Sequence, residues 1–256
     1  MTQPLLQATG LVKTYGNGHR AVDGVSLEVS AGEIVGVVGE SGSGKSTTGR
    51  MLLGLLKPDS GTVLFDGADI YSMSRARLHE LRARMQVVPQ NPQTSLNPRL
   101  TIGASMEFNM RVHGIARAER QQRVSDLLGR VGMTPSYARR YPHQMSGGQL
   151  QRVAIARALA TEPQLVVCDE AVSALDKSVQ AQVLNLIADL QRDMNVAFVF
   201  ISHDLAVVEH ISDNVVVMNH GKVVEYGSAE QVWSNPQDEY TARLLSAIPG
   251  KSLMAS

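Results

Sequence analysis

Cysteine is nearly absent from this chain: among 256 residues there is one, Cys168. That excludes an internal disulfide framework, a zinc site built on several thiolates and a four-cysteine iron–sulfur cluster, and it fits a reducing compartment. Aromatic side chains are scarce, at 4% with a single tryptophan, so a stacking platform for single-stranded nucleic acid is not expected. No sign of charge dominates. Lysine plus arginine and aspartate plus glutamate number 24 each, which leaves no net field to hold the chain on nucleic acid or anionic lipid, and no nucleic-acid partner is expected. Long hydrophobic runs are missing as well. Runs such as Ile34–Val38 and Val196–Ile201 fall far short of the roughly 20 residues that span a bilayer. The N-terminal Met1-Thr-Gln-Pro-Leu-Leu6 has no charged region leading into an apolar stretch; it does not read as a secretion signal, and a cytosolic location is expected.

What is present is ordinary globular composition, 43% hydrophobic, in a chain long enough to bury a sizeable core. Strand patterns punctuated by glycine fill the first third: Leu5 to Tyr15, Ala21 to Val29 after a turn at Gly16–Gly18, Glu33 to Val38, and Gly61 to Phe65. Met85–Pro89 is one more apolar run. From about Asn91 to Pro163 no β-branched run occurs, and Val124, Leu127, Leu128 and Val131 repeat at helical spacing, which predicts an inserted helical segment. Strand signals return at Leu165–Cys168, Val196–Ile201, Val215–Met218 and Val223–Val224, with a helix expected through Val179, Val183, Leu186, Ile187 and Leu190. Alternation of buried strands with helices predicts an α/β core with a largely parallel sheet.

Gly39-Glu-Ser-Gly-Ser-Gly44-Lys45-Ser46 satisfies the G-x-x-x-x-G-K-[ST] pattern at every fixed position. Glycines let backbone N–H groups turn inward around phosphate oxygens, where a Cβ would clash. Lys45 supplies a point charge, the Ser46 hydroxyl is the expected Mg²⁺ ligand, and the helix beginning at Lys45 aims its positive end at the phosphates. The loop residues Gly39, Ser41, Gly42, Gly44, Lys45, Ser46 and Thr47 are therefore candidate nucleotide contacts. A buried strand before the loop and a helix after it is the context that confirms such a motif. Chance produces this pattern in about one chain in a hundred at ordinary composition, which leaves little weight for the alternative, a surface glycine loop beside an incidental lysine. The chain is expected to bind a nucleoside triphosphate.

Leu165-Val-Val-Cys168 leads into Asp169 and Glu170. Ligands gather at the carboxyl ends of parallel strands, so Asp169 suits a Mg²⁺ shell and Glu170 suits a general base acting on water. Carboxylates also cap strand ends for no chemical reason, and only the phosphate loop tips the balance. Ser146-Gly147-Gly148-Gln149 opens a second helical stretch and reads as another anion cradle, with a plain turn-plus-cap as the alternative. One nucleotide needs one cradle. The second is expected to serve a nucleotide held by another subunit, and Gly148→Asp is the substitution this reading selects as its test.

With these motifs in order, the chain resembles the nucleotide-binding subunit of an ATP-binding cassette (ABC) transporter over nearly its whole length. The signature is Met145-Ser-Gly-Gly-Gln149, with methionine where leucine is more usual. The resemblance implies ATP and Mg²⁺ as ligands, adenine stacking for Tyr15, a Mg²⁺-touching and partner-sensing role for Gln90, a crossing loop at Ser173-Ala-Leu-Asp176 and a γ-phosphate contact for His203. It implies catalytic roles for Glu170, His203 and Gln90, with Ser46, Gln90 and Asp169 at the metal. Ala171-Val172 departs from the common Pro-Thr, a change expected to touch loop stiffness rather than chemistry. The implied fold is an α/β, P-loop NTPase (RecA-like) core over 1–90 and 163–233, with an antiparallel β subdomain, an inserted α-helical subdomain at 91–162 and a tail at 234–256. Gln90–Pro98 and Asn235–Pro249 are similar to the ATPases of dipeptide, oligopeptide and nickel importers. Implied partners are a second ATPase subunit in a homo- or heterodimer, membrane permeases docking on the 91–163 insertion and, indirectly, a solute-binding protein, all at the inner face of the membrane. A soluble ABC ATPase serving as a subunit of a multi-protein complex is the competing expectation.

Overall fold

The computed structural model describes residues 3–16 and 18–247. Met1 and Thr2 of the N-terminal stretch, Asn17 of the predicted turn, and the tail from 248 to 256, including Pro249, lie outside the described residues. The chain forms two compact units. The first comprises residues up to Met73 together with those from Ala197 onward, and the second comprises Ser74–Val196.

The first unit begins with β1 (Leu6–Thr14), β2 (Arg20–Val29) and β3 (Ile34–Val38), continues into helix α1 (Lys45–Leu52), and adds β4 (Ser60–Phe65) and the short β5 (Ala68–Asp69). The second unit runs through α2 (Arg75–Arg84), β6 (Met85–Val88), α3 (Pro92–Ser95), α4 (Ile102–Val112), α5 (Arg117–Arg130), α6 (Gly147–Leu159), β7 (Leu165–Asp169) and α7 (Lys177–Met194). The chain then returns to the first unit with β8 (Ala197–Ser202), α8 (Leu205–Ile211), β9 (Asn214–Asn219), β10 (Lys222–Ser228), α9 (Ala229–Ser234) and α10 (Glu239–Ser246).

Two sheets build the first unit. One is antiparallel with order β2-β1-β4-β5, and the other runs β10-β9-β3-β8. In the second sheet β3 pairs in parallel with both β8 and β9, while β10 returns antiparallel to β9. All five residues of β3 are buried, as a β-branched run flanked on both sides requires. The register sets Val38 opposite Ser202, so the chain leaves β3 and β8 at one edge. Both the phosphate loop and His203 start from that edge.

In the second unit β6 and β7 form a parallel pair, with Val88 opposite Cys168. The segment between them is helical, as its composition predicts. Ile102, Met106 and Met110 line one face of α4 and are fully buried, as are Leu128 and Val131 at the end of α5. Helix α7 buries Val183, Leu184, Ile187 and Leu190, each contributing roughly 1.5–3 kcal/mol relative to exposure. Its ends are specified locally: Asp176 Oδ1 accepts the Val179 N–H at 2.9 Å, and Asn195 terminates it with φ 51°. Helix α2 carries little periodic apolar signal, since only Leu81 is buried. Its Ser74 cap and straight-chain residues form it without an amphipathic stripe.

Candidate functional site

The phosphate loop closes on its own lysine. Lys45 is 4% exposed, and its Nζ donates to the carbonyls of Gly39 and Glu40 at 2.7 Å each and approaches Ser43 Oγ at 3.4 Å. Burying an ammonium is costly unless it is hydrogen-bonded, and these carbonyls supply acceptors for it. Gly44 adopts φ 99°, and a Cβ there would stand 2.3 Å from the Ala21 carbonyl oxygen. Only glycine fits that position. Gly44 also occupies the N-cap of α1, where no side chain makes a cap hydrogen bond, the kind of helix start at which an anion binds. The β9–β10 turn braces the loop from behind, with the Gly221 N–H donating to the Ser43 carbonyl at 3.1 Å.

Tyr15 follows β1 and is 39% exposed. Its hydroxyl lies 3.4 Å from Thr47 Oγ1, which sets the ring beside the first turn of α1. His203 follows β8 at the same sheet edge, before the Asp204 cap of α8. The first unit therefore brings Tyr15, the loop and His203 to one region, although they are far apart in sequence.

The second unit assembles another group. Gln90 Nε2 donates to Glu170 Oε2 at 2.8 Å, joining the residues that follow β6 and β7. Glu170 takes φ 49°, a conformation that costs a side-chain-bearing residue roughly 1–3 kcal/mol and is held only where surroundings demand it. Its carbonyl accepts both the N–H and the hydroxyl of Ser173, at 3.1 and 3.0 Å. Ala171 and Val172 are buried, so the departure from Pro-Thr is packed inside the turn. Cys168 is fully buried; burial first, and then the neighbouring Asp169, push its thiol far above the ordinary range. It is packing, not a nucleophile.

Ser146 and Gln149 form a reciprocal capping box at the start of α6: Ser146 Oγ accepts the Gln149 N–H at 3.3 Å and Gln149 Oε1 accepts the Ser146 N–H at 3.1 Å. The turn-plus-cap is real, and it does not use up the group. A hydroxyl that accepts one bond keeps its own proton to donate, and Ser146 and Gly147 are exposed. Sequence reasoning missed Tyr240, whose contact with the phosphate loop is taken up below; nothing local to its segment signals that contact.

The loop, with its helix start and ammonium, suits the phosphates of a nucleotide. Ser46 in the first unit, and separately Gln90 and Asp169 in the second, carry side-chain oxygens, the kind of ligand a hard cation takes. A glycine-rich loop leaving the carboxyl end of a buried parallel strand and entering a helix defines a P-loop nucleotide-binding protein. The family model described as "ABC transporter" matches residues 22–173, and the chain belongs to that family.

Among similar proteins, a glutathione import ATP-binding protein of Pectobacterium atrosepticum is 49% identical over 96% of this chain. The chain spans 41% of that relative's length. A Brucella ovis protein, named provisionally as a peptide import ATP-binding protein, is 48% identical over 96% of this chain and 79% of its own. Among solved structures, CbiO1 of Clostridium perfringens, part of the ABC transporter complex CbiONQ, superposes with a TM-score of 0.84 at 29% identity, covering 91% of this chain and 92% of that one. No helix among the described residues is long and apolar enough to cross a membrane.

Proposed function

We propose that this chain is the ATP-hydrolysing subunit of an importer and energises uptake of a peptide-like or related small solute through membrane permease partners. The observation that carries hydrolysis is the Gln90–Glu170 bond. An amide donor orients the carboxylate without neutralising it, leaving Glu170 able to take a proton from the attacking water. Lys45 and the loop N–H groups hold the β- and γ-phosphates, Tyr15 stacks on adenine, and His203 contacts the γ-phosphate. Mg²⁺, when bound, neutralises phosphate charge, and Ser46, Asp169 and Gln90 are its proposed ligands. Ser146, Gly147, Gly148 and Gln149 face the nucleotide of a second ATPase subunit, identical or related. In this organisation 1–90 and 163–233 form the nucleotide-binding core, 91–162 the helical subdomain and 234–256 a tail.

The permease partners dock on the helical segment after Gln90. Support comes from a cavity of about 370 Å³ whose lining includes Ser95, Leu100, Ser105, Phe108, Asn109 and Arg157. Phe108 is 47% exposed there, and among the described residues Ser105 Oγ and Arg157 Nε are buried without a hydrogen-bond partner. Such a docked chain works at the inner face of the membrane. The names of the glutathione and peptide import relatives support the solute class. The test is reconstitution with the permeases and partner ATPase into vesicles: ATP-dependent accumulation of short peptides is expected, and an assembled complex that hydrolyses no ATP would overturn the reading.

A further inference from the structure

We propose that Tyr240 is a positioning residue for the phosphate loop, acting on Lys45 through a single peptide plane; this rests on the reading of Gly39–Ser46 as the phosphate-binding loop. The contact spans 200 positions: the Glu40 N–H donates to the Tyr240 hydroxyl at 3.1 Å. That N–H belongs to the peptide joining Gly39 to Glu40. The carbonyl of the same peptide, Gly39 O, accepts the Lys45 ammonium at 2.7 Å. A peptide unit is planar, so whatever orients its N–H also orients its C=O. Tyr240 grips one end of the plane and Lys45 the other. Gly39, at φ 148°, places little steric restraint of its own on how the plane turns.

The tyrosine is built into place. The Glu225 carboxylate on β10 accepts the N–H groups of Gln237 and Asp238 at 2.8 and 3.2 Å, which fixes the approach to α10. Asp238 Oδ1 then caps the helix by accepting the Tyr240 N–H at 2.8 Å. The side chain is 8% exposed. The contact borders a cavity of about 360 Å³ lined by residues that include Asn219, His220 and Arg243, so mobile water rather than a fixed group would replace a lost hydroxyl.

Tyr240→Phe keeps the ring and removes the acceptor. One net hydrogen bond corresponds to about a two- to tenfold change in an equilibrium, so ATP and inorganic tripolyphosphate should both bind about two- to tenfold more weakly. The Glu40 amide should exchange its hydrogen faster, and the variant should remain folded by circular dichroism. A merely structural role would lower the thermal midpoint while leaving the affinities for ATP and tripolyphosphate at the wild-type values. Wild-type affinity in Tyr240→Phe overturns the proposal, and so does an unprotected Glu40 amide in the unmodified protein, a measurement that needs no variant. Lys45→Ala run in parallel separates the two levels. Unchanged ATP binding in Lys45→Ala removes the phosphate-loop reading itself, whereas lost binding there beside wild-type affinity in Tyr240→Phe removes only the role of Tyr240.

Discussion

Gln90 and Glu170, separated by 80 positions, meet in the structure, with the amide Nε2 donating to carboxylate Oε2 at 2.8 Å. The donor holds one carboxylate oxygen in place. Glu170→Gln keeps the shape but cannot accept a proton. Turnover is expected to fall roughly 10²–10⁴-fold, the ordinary worth of a general base, while ATP still binds. Steady-state hydrolysis beside an equilibrium titration checks this, and a wild-type rate in the variant would remove Glu170 from the base's role.

Lys45 is nearly buried inside its loop, so Lys45→Ala deletes a charge already positioned for phosphate. ATP affinity is expected to collapse with the fold intact, because the loop carbonyls that held the ammonium can turn to solvent. Circular dichroism and a nucleotide titration read the two effects separately.

Tyr15 stands beside Thr47 at the start of α1. Stacking of a base on an aromatic ring is worth about 1–3 kcal/mol, so Tyr15→Ala should weaken ATP binding by about five- to 150-fold. Tripolyphosphate, which has no base, should bind as before. Equal losses for both ligands would assign Tyr15 to the loop's structure rather than to adenine.

The second cradle calls for a different variant from the one its sequence selects. A Cβ at Gly148 would stand 2.6 Å from Val179 Cγ1 of the same chain, whereas one at Gly147 meets nothing within 4 Å. Gly148→Asp would therefore disturb the packing of α6 on α7, an overpacking cost of about 1–3 kcal/mol, and confuse misfolding with lost dimerisation. Gly147→Asp places the negative charge at the helix start without that clash. In a Glu170→Gln background it should abolish ATP-driven dimerisation, read by light scattering, while the monomer binds ATP normally. If the natural partner is a different ATPase subunit, the measurement belongs on the mixed pair. Loss of monomer binding together with the dimer would show that the cradle acts within one chain.

The elements that position the chemistry were legible because their signals are local. A β-branched run, a glycine-rich turn and a helix start lie within a dozen residues around Lys45, and each dictates backbone geometry where it stands. The same holds for the strand that ends at Asp169 and for the capped helix at Ser146. The helix at Arg75–Arg84 was not legible, because only one of its side chains is buried and periodicity reports burial rather than helicity. Contacts between distant segments are of another kind. That the Gln90 amide lies on Glu170, that Gly148 is a packing glycine against Val179, and that Tyr240 grips the peptide behind Lys45 depend on strand order, register and helix packing. No spacing along the chain encodes them. The sequence by itself determined which chemical groups the protein carries and the local backbone that presents each one. Only the tertiary structure decided which of them touch, because contact is set by burying apolar faces of segments up to 200 residues apart.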